Sequence, residues 1–286
     1  MIRLGAHCSL WTGSWTREAA ETAIPEAAKY GLQVVEIALL NPDAVDVPHS
    51  KALFEAHGVA PTCSLGLPGH AIAPLYPAEA TRFLEKVVDT AAALGARVVT
   101  GVTYSGIGYK TGKPPQEAEY EAIASALRPI ARRCADQGIA LGLEPCNRYE
   151  THLVNTAAQA LALIERIGEP NVMLHLDTYH MNIEEKGFAG PIEQAGHALQ
   201  YIHLSESDRG VPGTGTVDWE QIFRTLAAIG FQGDLVLESF IVTPPEIVEA
   251  LCIWRPVAKN RAEVLDRGLS YLRDKAVASG VIAANS

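Results

Sequence analysis

Between residues 138 and 240, four apolar runs each end in, or just before, a side chain that binds metal ions, and their spacing leaves few folds open. Residues 140–143 lead to Glu144, residues 172–176 to Asp177, residues 199–202 to His203 and residues 235–237 to Glu238. Successive members of this set lie 33, 26 and 35 residues apart. A strand, a helix and their two loops need roughly 30 residues, so each interval has the length of one βαβ step. Successive parallel strands of that kind carry their last residues to one common end, where four ligand-type side chains converge on a point.

The rest of the chain repeats the same alternation. Strands are predicted at 3–10, 34–40, 60–65 and 97–102, with helices at 17–30, about 48–57, 77–94 and 116–137. In the second half, helices are predicted at 156–167, about 191–199, 219–229, 244–253 and 261–278, the last polar enough to lie on the outside with a frayed end. Several strands are continuously apolar, as strands covered on both faces are. Eight strand–helix units without a break in composition predict an α/β fold, a single (β/α)₈ TIM barrel. The 286 residues are close to the roughly 250 of such a barrel. One domain over 1–286 is expected, with a C-terminal helical extension at about 256–280.

Composition removes several classes of function. With 23 basic against 33 acidic residues and a net charge of −10, the surface repels phosphate backbones, so no nucleic-acid partner is expected. The five cysteines (Cys8, Cys63, Cys134, Cys146 and Cys252) are widely spaced and form no Cys-x-x-Cys pair. They read as buried thiols of a reducing compartment. The N-terminus enters a strand without a leader-like segment, and no apolar run matches a bilayer, so a cytoplasmic protein without membrane contact is expected.

Taken singly, Glu144, Asp177 and Glu238 read as solvated loop carboxylates. Their coincidence at the same end of consecutive strands changes the balance, because chemistry in this fold sits at the C-terminal strand ends. Clustered buried carboxylates repel one another, and a divalent cation neutralises them. Oxygen-rich ligation with one imidazole suits Mn²⁺, Mg²⁺ or Co²⁺ better than zinc. His175, inside the sixth strand, reads as a satisfied core histidine. Trp11 and Trp15 follow the first strand and are read either as core or as the wall of a sugar pocket.

The runs 143–150 (LEPCNRYE) and 176–185 (LDTYHMNIEE), His203 with Glu206, Arg209, Pro212 and Gly213, Glu238 with Phe240, and Trp254-Arg255 resemble the ketose 3-epimerases. That group includes the D-tagatose, D-psicose (allulose) and L-ribulose enzymes among the xylose isomerase-like barrels. The resemblance implies Glu144, Asp177, His203 and Glu238 as ligands, usually of Mn²⁺, with Glu144 and Glu238 doubling as the acid/base pair. It implies Glu150, His180 and Arg209 at the carbon 1 to 3 end of a ketose, and a homodimer or homotetramer. His7, where relatives often carry an aromatic, and Phe240, Trp15 and the loop 104–109 are expected around the substrate.

The implied reaction is epimerisation of a free ketose at carbon 3, of the D-tagatose/D-sorbose, D-fructose/D-psicose or L-ribulose/L-xylulose type. The carbon 3 hydrogen is acidified by the carbonyl at carbon 2, its loss gives an enediolate, and two opposed carboxylates exchange the proton across the two faces. The alternative is an aldose–ketose or hydroxypyruvate-type isomerase on the same metal site. A metal-dependent nuclease would need a basic face, a glycosidase would not need Asp177 and His203, and a binding barrel would not need an acid/base pair.

Overall fold

Eight parallel strands pair in sequence order and β8 closes back onto β1. They are β1 (Arg3–His7), β2 (Val34–Ala38), β3 (Ala60–Gly66), β4 (Val98–Val102), β5 (Ala140–Leu143), β6 (Val172–Asp177), β7 (Leu199–Leu204) and β8 (Asp234–Leu237). This computed structural model describes residues 2–243 and 245–283. Pro244, expected to open the helix after β8, and residues 284–286, expected to fray, lie outside the described residues.

Helices α1 (Arg17–Lys29), α2 (Val47–His57), α3 (Pro77–Leu94), α4 (Glu117–Asp136) and α5 (Ala157–Ile167) follow the first five strands. The starts of α1, α2 and α5 are set by side chains that satisfy free backbone N–H groups. Thr16 accepts from Ala19 and Asp46 from His49, and Thr156 forms a reciprocal box with Gln159. Gly58, Gly95 and Gly168 close α2, α3 and α5 in left-handed conformation, where glycine has no Cβ penalty.

The second half departs from expectation in two places. After β6 the chain makes two short helices, α6 (Thr178–Glu184) and α7 (Ala189–Ala195), where one at about 191–199 was expected. Asp177 is both the last residue of β6 and the cap of α6, accepting from the Tyr179 N–H at 2.7 Å. No loop separates the two elements, and seven residues are too few to display a helical period. After α8 (Trp219–Ala228) and α9 (Pro245–Leu251), the last helix runs through α10 (Arg261–Glu263), a π-helical stretch (Val264–Leu269) and α11 (Ser270–Ala278). It is less polar in effect than expected, since Val264, Leu265, Leu269, Leu272 and Ala276 are buried in the main core. Four cysteines are buried as expected, but Cys252 is exposed. Among the described residues no helix is long and apolar enough to cross a membrane.

Side chains alternate along each strand. Val35 and Ile37 of β2, Leu174 and Leu176 of β6 and Ile202 of β7 belong to the main core shared with the helices. Val34, Val98, Met173, Tyr201 and Val236 form a separate apolar plug inside the barrel. Two residues further along each strand, the inner wall turns polar: Glu36, Thr100, His175, His203 and Glu238.

Gly142, which shares this parity with Glu144, has no side chain because Thr100 fills its place. A Cβ there would sit 2.0 Å from Thr100 Oγ1 and 2.7 Å from Met173 Cε. Overfilling a close-packed site of this kind costs about 1–3 kcal/mol. Gly142→Ala is therefore expected to lower the unfolding free energy by about that amount, measured by urea denaturation; an unchanged midpoint would show that the inner wall has slack at β5.

Candidate active site and metal centre

The inward parity of β5 to β8 delivers the four expected ligand residues to one place. His203 Nδ1 lies 3.5 Å from Glu144 Oε1, 3.8 Å from Asp177 Oδ2 and 3.4 Å from Glu238 Oε1. Donor atoms of Asp177, His203 and Glu238 fall within 4.8 Å of one another, and so do those of Glu144, His175 and His203. All are buried, with Asp177 fully covered and Glu144 the most open at 6%.

Arg209 enters from the loop after β7 with φ +63°. Its backbone carbonyl accepts the Ser239 hydroxyl at 2.8 Å. Its guanidinium donates to Asp177 Oδ2 at 2.9 Å and to Glu238 Oε2, and lies 3.5 Å from Glu150 Oε1. It is also sandwiched by aromatic rings, with Cζ 4.1 Å from the Tyr179 centroid and 4.8 Å from that of Phe240. Glu150 and Arg209 are thus a buried pair, not a surface one. Glu206 shapes this loop by accepting from the N–H groups of Ser207, Gly213 and Val217 and from the Trp219 indole.

His180 is held by the Asn147 backbone, whose N–H donates to Nδ1 at 3.1 Å. Two donors of Asn147 at Nδ1 place the hydrogen on Nε2 in the neutral ring, and Nε2 lies 3.8 Å from both Glu144 Oε1 and Asp177 Oδ2 and 3.3 Å from the Arg209 guanidinium. Burial, reinforced by the charge of Arg209, holds His180 well below the usual imidazole range, so it is neutral. The Asn147 amide donates to Glu150 Oε1 at 2.8 Å, bringing that carboxylate into the same cluster.

Crowding shows in the protonation of the acids. Burial pushes the Asp177 and Glu150 carboxyls up to about 7 despite the attraction of Arg209. Burial likewise raises Glu144, against the pull of His203. His203 is raised well above its usual range, because Glu36 and Glu238 outweigh the effect of burial. His7 is lowered to about 4 by burial.

His7 and Phe240 reach the cluster, with the His7 ring 6.0 Å from both His203 and Phe240. Trp15 is buried in the loop before α1. Its indole N–H donates to Ser50 at 3.1 Å and its rings stack on Phe54, fastening the loop before α1 to α2. His175 is buried as expected but only half satisfied: Nδ1 bonds Thr100 Oγ1 at 3.0 Å, whereas Nε2 has no partner. Glu36 was not anticipated. It ends no apolar run and lies inside one, Val-Val-Glu-Ile-Ala, yet its Oε2 accepts from His203 Nε2 at 2.7 Å.

Known proteins match along almost the whole length. The model of the xylose isomerase-like TIM barrel family matches residues 24–275. The L-ribulose 3-epimerase of Methylomonas sp. (strain DH-1) is 36% identical over 280 residues, 96% of this chain and 98% of that one. The chain belongs to the ketose 3-epimerases of the xylose isomerase-like barrels. The ketose 3-epimerase of Arthrobacter globiformis is 37% identical, over 97% of this chain and 98% of its own. The crystal structure of a Methylomonas sp. D-allulose 3-epimerase in complex with D-allulose superposes with TM-score 0.92 at 35% identity, covering 96% of this chain and 97% of that one. A ketose 3-epimerase is an isomerase, and the expectations of fold, family and enzyme class drawn from the sequence are met.

Arg209 is the only buried arginine or lysine among the described residues. Removing one partner of a buried ion pair leaves uncompensated charge and costs about 3–5 kcal/mol. Arg209→Leu is expected to destabilise the protein by about that much in chelator-containing buffer, read from chemical denaturation. A loss near zero would mean that the guanidinium is not what balances Asp177 and Glu238.

Proposed function

We propose that this enzyme epimerises free ketoses at carbon 3 with a divalent cation held by Glu144, Asp177, His203 and Glu238. The observation that carries the reading is His203 Nδ1. It is buried without a hydrogen-bond partner and faces three carboxylate oxygens at 3.4–3.8 Å. A nitrogen lone pair and several oxygens around one point fit a hard or borderline cation, Mn²⁺ foremost and Mg²⁺ or Co²⁺ after it. When bound, such an ion would supply Lewis-acid charge that stabilises negative charge developing on the sugar oxygens.

The residues of the chain do the rest. Glu144 and Glu238 come from strands three apart in the barrel, so their carboxylates flank a substrate lying over the cluster. One removes the carbon 3 hydrogen, leaving an enediolate, and the other returns a proton to the opposite face; the roles exchange in the reverse direction. Glu150, His180 and Arg209 hold the carbon 1 to 3 end, His180 donating through Nε2–H and Arg209 through its guanidinium. His7, Phe240 and Trp15 border the other side, Trp15 being fastened by Ser50 and Phe54. The names of the relatives, which act on L-ribulose and D-psicose, support a pentulose or hexulose as substrate.

The reading extends to a cytoplasmic homodimer or homotetramer. Leu75, Tyr76, Tyr149 and Trp254 are large, exposed and apolar, and all lie on segments that follow strands, at the catalytic end. A second copy covering them fits that distribution.

Chelation with EDTA is expected to abolish turnover, and Mn²⁺ to restore it. Glu238→Gln is expected to retain much of the Mn²⁺ binding while kcat falls by about 10²–10⁴, the usual contribution of a general acid–base group. Wild-type turnover by that variant refutes its role. Reaction in D₂O separates the two chemistries: deuterium at carbon 3 of recovered ketose is expected, whereas label confined to carbon 1 identifies an aldose–ketose isomerase.

A further inference from the structure

We propose that Glu36, on a strand that contributes no ligand, is the positioning residue that makes His203 a metal ligand; this rests on the metal reading above. An imidazole has two nitrogens, and only one of them points at the carboxylate cluster. The other, Nε2, lies 2.7 Å from Glu36 Oε2. A carboxylate at that position accepts, so in the neutral ring that a metal ligand requires the hydrogen sits on Nε2 and the lone pair on Nδ1. The opposite tautomer would leave two buried acceptors facing each other, at the cost of an unsatisfied buried polar pair.

Glu36 is itself held in place. Tyr201 Oη donates to the same Oε2 at 2.7 Å, and the Tyr201 and Thr62 hydroxyls are hydrogen-bonded at 2.8 Å. Thr62 is the register partner of Glu36 across β2 and β3, and Tyr201 precedes His203 by two residues on the same inner face of β7. Three strands thus fix one oxygen atom. His175 packs edge-on against the imidazole, with centroids 4.1 Å apart, and resists rotation of the ring. The second oxygen, Oε1, has no hydrogen-bond partner and lies 3.9 Å from His7 Nε2. The oxygen that Glu36 does engage is thus directed at His203, and a hydrogen bond from Nε2 to it increases the donor strength of Nδ1. A carboxylate behind a ligating histidine acts in this way generally.

The test compares Mn²⁺ binding to metal-free wild type, Glu36→Gln and Tyr201→Phe by titration calorimetry, with circular dichroism as a check on folding. Loss of a partner behind a ligating histidine weakens metal binding about 10–100-fold, and that is the shift expected for Glu36→Gln. Its KM for ketose at saturating Mn²⁺ should stay at the wild-type value. Tyr201→Phe, which removes the neighbouring bond to the same oxygen but leaves the carboxylate on His203, should lose stability and weaken Mn²⁺ binding by clearly less than Glu36→Gln. Unchanged affinity in Glu36→Gln overturns the role, and so does an equal loss in both variants, which would indicate general loosening. Should Glu36→Gln fail to fold, long-range ¹H–¹⁵N correlations of the Mg²⁺-loaded wild type decide: hydrogen on His203 Nε2 supports the proposal and hydrogen on Nδ1 overturns it. Wild type that binds no Mn²⁺ removes the metal reading together with this one, whereas wild-type binding with an unaffected Glu36→Gln removes only the role of Glu36.

Discussion

Negative charge crowded into the open end of the barrel governs how the surrounding side chains are arranged. Glu144, Glu150, Asp177 and Glu238 are all buried there, with Glu36 just beneath, and Arg209 is the one buried guanidinium among the described residues. Two like charges 4 Å apart repel by about 4 kcal/mol at an effective dielectric constant near 20. Four bare carboxylates are therefore untenable. The chain responds by placing Arg209 on two of them, by setting aromatic rings on both sides of that guanidinium, and by letting Asp177 and Glu150 rise to about 7. A divalent cation at His203 Nδ1, as proposed, would relieve the same repulsion by pairing the acids instead of protonating them.

The cluster exists at all because strand side chains have a period of two. The plug residues Val34, Met173, Tyr201 and Val236 share parity with Glu36, His175, His203 and Glu238, so any strand that buries its lower residue inside the barrel must also present the upper one. A one-residue slip in any of these strands would exchange inner and outer faces. The register shift between Leu174 and His175, where β6 meets β7, lies below Asp177 and His203, which remain register partners.

This parity explains which parts were legible in the sequence. Glu144, Asp177, His203 and Glu238 stand within one residue of a strand end, and the repeat of about one βαβ unit turns four weak signals into one strong one. Glu36 lies mid-strand among valine and isoleucine, and nothing local distinguishes a structural glutamate from a misplaced one. Only the closed barrel brings it against His203, 167 residues away. For His175 burial is legible from its place in an apolar strand, whereas its partners are not, and only Nδ1 finds one. Helix α6 is hidden because Asp177 serves as strand end and helix cap together. The polar residues of segment 261–278 mask a buried face of Val264, Leu265, Leu269 and Leu272, which follows a helix widened by a π-helical stretch.

A polar inner wall is a poor source of stability, and the arrangement of the two cores shows how the barrel tolerates one. The plug inside the strands is only five residues, whereas the main core between strands and helices extends around the entire barrel. Apolar burial, which dominates folding free energy, is thus concentrated outside the strands. The inner face is left to hold Glu36, Thr100, His175 and His203 in fixed orientation. Substitutions on that face that preserve volume then act chiefly on the centre they orient, while those that overfill it, as at Gly142, act first on the fold. Thr100 joins the two regimes. Its hydroxyl bonds His175, and its bulk occupies the space above Gly142, so one side chain both packs the wall and fixes a histidine beside His203.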